Sequence, residues 1–240
     1  MDVAIILIIF KKEQPMKKIA IDGIIYGIRE DEVIVCGLDK KCPEMVHVEE
    51  TIQGRPVVEI RTKAFVSSDI VHITLPQTIC LIGKRAFWGC KHLESVIGMP
   101  TSFAHFSHPK VHAFVILNEE AFANCVNLQK VEFTDPLRYV ATSAFENCEK
   151  LTTMNVLLGT IRKNAFKNCY ALKQLQLAAN NYFASGSIEE SGISEIVVSE
   201  NFSYTKQVEK HLRKKPVLLR CPNFSAVNDM VYFGFIVTTS

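Results

Sequence analysis

The sequence predicts a repeat solenoid. It would carry a parallel β-sheet on one face, short strands, turns or helical turns on the other, and a β-rich amino-terminal cap. Three observations predict it. The motif Ala-Phe-x-x-Cys starts at Ala86, Ala121, Ala144 and Ala165, with a weaker copy at Ala64-Phe65 and a decayed one at Ser187-Ile188. Four residues before each copy stands an apolar anchor: Ile60, Ile82, Leu117, Val140, Ile161 and Phe183. Six or seven residues after each copy begins Leu-x-x-Leu-x-Leu or a variant of it. Successive copies are 22, 35, 23, 21 and 22 residues apart. Units of this length bury their apolar face only by stacking on one another.

Composition supports a folded chain and narrows its partners. Of 240 residues 48% are hydrophobic and 22% charged, which is globular rather than disordered. Lys plus Arg number 27 against 25 for Asp plus Glu. A net charge of +2 argues against a general role on nucleic acid or anionic membrane.

The elements follow in chain order. Residues 1–17 read as a disordered leader or an extra strand. Val3 to Phe10 is an apolar run far shorter than a membrane span. A secretory signal puts its positive charges first, whereas here Asp2 leads and Lys11 and Lys12 follow the run. Met16 is an alternative start. Residues 18–60 read as the amino-terminal β cap. Ile19 to Ile28 reads as one strand bulged at Gly23, and Arg29 to Glu32 as a polar turn. Val33 to Gly37 is the return strand, Val46-His47-Val48 alternates, and Gly54-Arg55-Pro56 turns into Val57 to Ile60.

Residues 61–199 are the solenoid, about six coils with an insertion near 99–113. In Ile70/Ile73/Leu75, Leu128/Val131/Phe133, Leu151/Met154/Val156, Leu172/Leu175/Leu177 and Ile193/Ile196/Val198 the last two residues are two apart. They therefore point to one face of a strand. Leu93/Val96 with Gly98 is the imperfect copy. The slot Phe fills the coil from the opposite side. Residues 200–240 read as a carboxy-terminal cap. Tyr204 to Lys214 has helical spacing and is stopped by Pro216; Val217 to Leu219 and Val231 to Val237 are short strands.

Eight cysteines do not make a disulfide framework here. Cys90, Cys125, Cys148 and Cys169 share one slot, so they form a column inside the core, where a thiol behaves as a small apolar group. Stacked coils lie roughly 5 Å apart, close enough for a bridge, but a column suits packed thiols better than paired ones. Cys36, Cys42, Cys80 and Cys221 lie outside the slot and lack zinc spacing. Unpaired thiols suit a reducing compartment.

Other chemistry is weaker. His105, His108 and His112 crowd into the insertion, but Pro109 breaks the helix that would align them for a metal, and a solvated loop is the simpler reading. Phe103 and Phe106 either form a partner-binding edge or fold back over the coil; the latter is favoured. No phosphate-binding loop, nucleophile elbow or recurrent acidic pair is legible. No cofactor, metal or catalytic residue is expected, and the chain reads as a non-enzyme.

One surface can be derived. The x positions of the strands point away from the core and line up across the sheet. The candidate partner-binding face is His72, Thr74, Glu94, Gln129, Lys130, Glu132, Thr152, Asn155, Lys173, Gln174, Gln176 and Glu195. Solenoids use such extended faces for binding. The face is polar, mixed in sign and free of aromatics, and plain solvated sheet is the alternative reading.

The chain resembles the BspA-like leucine-rich repeat family. Leu151 after Cys148, Leu172 after Cys169, Leu75-Pro76, Ile82-Gly83 and the lead-in Gly54-x-Pro56-Val57-x-x-Ile60 carry the likeness, over about residues 20–200. Two departures stand out. Pro after the strand occurs only at Pro76 and Pro100, with Pro136 displaced, and the 86-to-121 coil is about 13 residues too long. With the resemblance, the chain reads as a leucine-rich-repeat solenoid and a protein–protein interaction module with a protein partner, and its charge balance argues against nucleic acid. The resemblance also implies adhesion or host contact at a cell surface as one alternative. An intracellular structural scaffold is the other, and the cytoplasm is the favoured location.

Overall fold

A computed structural model describes residues 16–39, 43–99, 114–154, 157–177, 182–184, 186–198, 218–220 and 237–238. The leader, the insertion with its histidines and phenylalanines, Asn155, the 204–214 helix, Cys42 and Cys221 lie outside the described residues.

The amino end is an antiparallel meander: β1 (Lys17–Ile21), β2 (Ile24–Ile28) and β3 (Val33–Leu38). The single bulged strand expected over Ile19 to Ile28 is instead a hairpin. Asp22 and Gly23 turn it with φ of 46° and 81°. Asp-Gly is the dipeptide that tolerates two successive left-handed residues, and that turn matches the twist of paired strands. The irregularity lies one strand later, between Ile25 and Tyr26 in the β2–β3 ladder. Tyr26 is fully buried and its hydroxyl accepts from the Glu49 N–H at 3.2 Å, tying the meander to the first coil.

Each coil then contributes to two parallel ladders. The first comprises β4 (Met45–His47), β7 (His72–Pro76), β9 (Ser95–Met99), β11 (Lys130–Glu132) and β13 (Thr153–Met154), a five-stranded sheet. The second is built from the anchors. They close β6 (Arg55–Ile60), β8 (Leu81–Ile82), β10 (Val115–Leu117), β12 (Leu137–Val140), β14 (Leu157–Ile161) and β16 (Tyr182–Phe183). Ile60, Ile82, Leu117, Val140, Ile161 and Phe183 stand in register across it. A short β5 (Thr51–Ile52) pairs antiparallel with β6. β3 pairs in parallel with β6, so the meander continues the second sheet.

Alternation gives the second sheet two apolar sides. The anchors face the core. Their neighbours Leu81, Ile116 and Tyr139, with Ala141, form a separate buried cluster on the outer side. Phe114 packs against it beneath the Arg138 guanidinium, 4.8 Å from the ring centroid.

The third wall is the Ala-Phe-x-x-Cys segment, and it is all turn, with no helix among the described residues. Two residues per segment adopt the left-handed conformation, one before Ala and one before Cys. The pairs are Arg85 and Gly89, Glu120 and Asn124, Ser143 and Asn147, Asn164 and Asn168. Each such residue rotates its peptide so that N–H groups point along the stack. The Phe N–H groups of residues 65, 87, 122, 145 and 166 donate to the residue at the Ala position one coil on, at 2.8–3.1 Å. The main-chain hydrogen-bond groups of a wall without strands are thereby largely satisfied.

The core runs the length of the stack. Phe65, Phe87, Phe122, Phe145 and Phe166 are stacked with centroids 5.0, 4.9, 5.3 and 5.6 Å apart. Beyond them β15 (Gln174–Leu177) and β17 (Glu195–Val198) pair in parallel. β18 (Leu218–Arg220) and β19 (Val237–Thr238) extend the same ladder, with Glu195 opposite Leu218 and Leu219 opposite Val237.

Candidate partner-binding face

The five-stranded sheet presents its strand x positions to solvent in two rows. In one row Met45, His72, Ser95, Lys130 and Thr153 stand in register; in the other, His47, Thr74, Ile97 and Glu132. Their partners Val46, Ile73, Val96 and Val131 point inward and are buried. The alternation is what a half-buried strand requires.

Strand entry is fixed by a repeated hydrogen-bond pattern. One carbonyl accepts from two consecutive N–H groups of the next coil. Glu44 accepts from Val71 and His72, Val71 from Glu94 and Ser95, Glu94 from Gln129 and Lys130, and Gln129 from Thr152 and Thr153. Glu94, Gln129 and Thr152 are exposed at these entry positions.

Side chains on the face bond across coils. His47 Nδ1 lies 2.7 Å from Thr74 Oγ1, and His72 Nδ1 lies 2.8 Å from Ser95 Oγ. Lys130 Nζ is 3.0 Å from Glu132 Oε2 on its own strand. Such exposed pairs contribute little to stability.

The structure does not place all the candidates in one sheet. His72, Thr74, Glu94, Gln129, Lys130, Glu132 and Thr152 belong to, or enter, the five-stranded sheet, which ends at β13. Lys173, Gln174, Gln176 and Glu195 lie at β15 and β17. Those strands join the anchor sheet through Leu157 opposite Leu177. There Gln174 Nε2 donates to Glu195 Oε2 at 2.9 Å, and Lys173 Nζ donates to the Tyr170 carbonyl at 2.7 Å.

Sequence reasoning missed Met45 and His47. The signal was present as Val46 and Val48, two apart and both buried like the inward pair of every later coil. Met45 is 73% exposed, the most exposed large apolar side chain described.

A second polar ladder lines the turn wall. Asn168 Nδ2 donates to Asn147 Oδ1, and Asn147 Nδ2 to Asn124 Oδ1, both at 2.7 Å. The Tyr170 hydroxyl continues it, donating to Asn168 Oδ1 at 2.8 Å.

The BspA type leucine rich repeat region matches residues 58–108 and 101–208, in six copies. This chain belongs to that family. Among solved structures, it is similar to the T. pallidum leucine rich repeat protein at 22% identity. That match covers 71% of this chain and 87% of the other, with a TM-score of 0.44. A leucine-rich repeat protein from Bacteroides ovatus matches at 19% identity over 92% of this chain and 67% of its own, TM-score 0.46. A leucine rich cell surface protein from Faecalibacterium prausnitzii matches at 12% identity over 81% and 78%, TM-score 0.43. No curated protein matches the sequence.

The BspA-type chain holds no helix, among its described residues, long and apolar enough to cross a membrane. Among the same residues no group of three or more His, Cys, Asp or Glu side chains is arranged to hold a metal ion.

Proposed function

We propose that this chain is a non-catalytic binding module that presents the outer face of its short strands to a protein partner. One observation carries the reading. The apolar and Cys residues that repeat from coil to coil are buried, whereas the strand residues that vary stand in register on a solvated face. Glu94, Gln129, Lys130, Glu132 and Thr152 lead that face, with His72 and Thr74 at its amino-terminal side. Lys173, Gln174, Gln176 and Glu195 continue the candidate surface on the adjoining strands. Its charges alternate in sign, which suits a folded protein surface better than a polyanion. The repeated nucleophiles, the slot thiols, serve packing and hydrogen bonding, which favours a scaffold over an enzyme.

The test is capture of partners from cell extract by the wild type and by a Lys130→Glu/Lys173→Glu double variant. Loss of a partner from the variant, with its β circular dichroism unchanged, supports the face; equal recovery of every partner removes it. For location we favour the cytoplasm, because folding leaves many thiols unpaired. Surface labelling of intact cells with a membrane-impermeant reagent would overturn that if the chain were labelled.

A further inference from the structure

The four slot thiols are fully buried, and each is a hydrogen-bond donor. Cys90 Sγ donates to the Phe65 carbonyl oxygen at 2.8 Å, Cys125 to Phe87 at 3.0 Å, Cys148 to Phe122 at 3.1 Å and Cys169 to Phe145 at 3.0 Å. The same carbonyls also accept a main-chain N–H from their own coil: Ser68 on Phe65, Cys90 on Phe87, Cys125 on Phe122 and Cys148 on Phe145. Both lone pairs of each Phe oxygen are therefore filled, one within the coil and one by the next coil's thiol. The sulfur of one coil is thus a joint to the previous one, packed beside a stacked ring.

We propose that this column is a redox gate on folding: the coils close only over reduced thiols, and once closed they shield those thiols from small disulfides such as glutathione disulfide. In the open chain a Cys thiol loses its proton and the thiolate attacks one sulfur of glutathione disulfide. A bond forms between the protein sulfur and one glutathione, and the original sulfur–sulfur bond breaks. The second glutathione leaves as a thiolate and takes up a proton. The protein sulfur is oxidised and the released sulfur reduced. The adduct has no S–H for the Phe carbonyl and adds a tripeptide where stacked rings leave no room. A chain so modified cannot seat that coil.

The closed column resists the same reaction because a sulfur must be uncovered before a disulfide can reach it. Burial also holds the Cys125 and Cys148 thiols well above their usual range and pushes Cys169 up to about 12. Cys90, at the end of the column, is lowered by its hydrogen bond with Cys125, so its protection rests on its full burial. Reaction in the folded chain then follows the opened population, which is a small fraction.

The experiment uses the full chain and glutathione disulfide, with adducts located by peptide mass spectrometry. In the folded protein the four slot cysteines should react at least about a hundredfold more slowly than in guanidinium. Chain modified while unfolded should fail to regain its β spectrum on dilution and recover it after dithiothreitol. Equal rates in the two states, or refolding with the slot adducts in place, would overturn the proposal. A variant with Cys36, Cys42, Cys80 and Cys221 changed to Ser separates the column from the other thiols. The block should persist in it, and refolding of its glutathionylated form would place the gate elsewhere and overturn the proposal.

Discussion

Ser187 stands where five other coils place the slot Ala, and its hydroxyl is buried without a hydrogen-bond partner. A desolvated hydroxyl left unpaired is a net cost. Ser187→Ala should therefore raise stability by about 1–2 kcal/mol, read as a higher denaturant midpoint with unchanged slope. The sequence showed that this copy had decayed but not that its hydroxyl lacks a partner. Other residue-scale features were half legible. Gly89, Asn124, Asn147 and Asn168 share one position and are the two residue types that best tolerate left-handed backbone. The second left-handed position hides itself, because Lys63, Arg85, Glu120, Ser143 and Asn164 carry no common signal. The thiol bonds were hidden too: composition places a Cys inside but does not say what its S–H faces.

At the scale of the element, the Phe column joins the coils. Phe145 stacks on Phe122 and on Phe166, at 5.3 and 5.6 Å. Removing its ring leaves a cavity against two neighbours, so Phe145→Ala should cost about 3–5 kcal/mol in an equilibrium unfolding experiment. An unchanged melting temperature would contradict the stacked-coil account. The strands of the five-stranded sheet were legible because Leu-x-Leu spacing has the two-residue period of a half-buried strand. The anchor sheet was legible only as one option among short strands, turns and helical turns. Its strands are as short as Leu81–Ile82, and Leu81, Ile116 and Tyr139 are apolar on the outer side as well, so they show little alternation to read. The Asp22-Gly23 hairpin was missed because apolar residues flank it closely enough to look continuous.

At the scale of the molecule, burial of weak acids makes the fold sensitive to alkali. Burial raises Cys169 from an ordinary 9.0 to about 12 and Tyr26 from 10.0 to about 12. Both are neutral when protonated, so the unfolded chain loses these protons first as pH rises. Their contribution is complete below about pH 9 and is lost progressively between about 9 and 12. Thermal melts should be flat from pH 7 to 8.5 and fall steeply above about 9; a rise over that window would reverse the sign of the argument.

The central claim is a division of labour, with repeated residues building the stack and varying strand residues meeting the partner. Lys130 and Lys173 lie on the candidate surface, whereas Lys63 and Lys163 are exposed on the turn wall. The most direct measurement compares partner recovery by Lys130→Glu/Lys173→Glu with recovery by Lys63→Glu/Lys163→Glu, a variant of the same charge change. The account predicts loss of the partner from the first and wild-type recovery by the second. Equal recovery by both, or loss confined to the turn-wall variant, would contradict it.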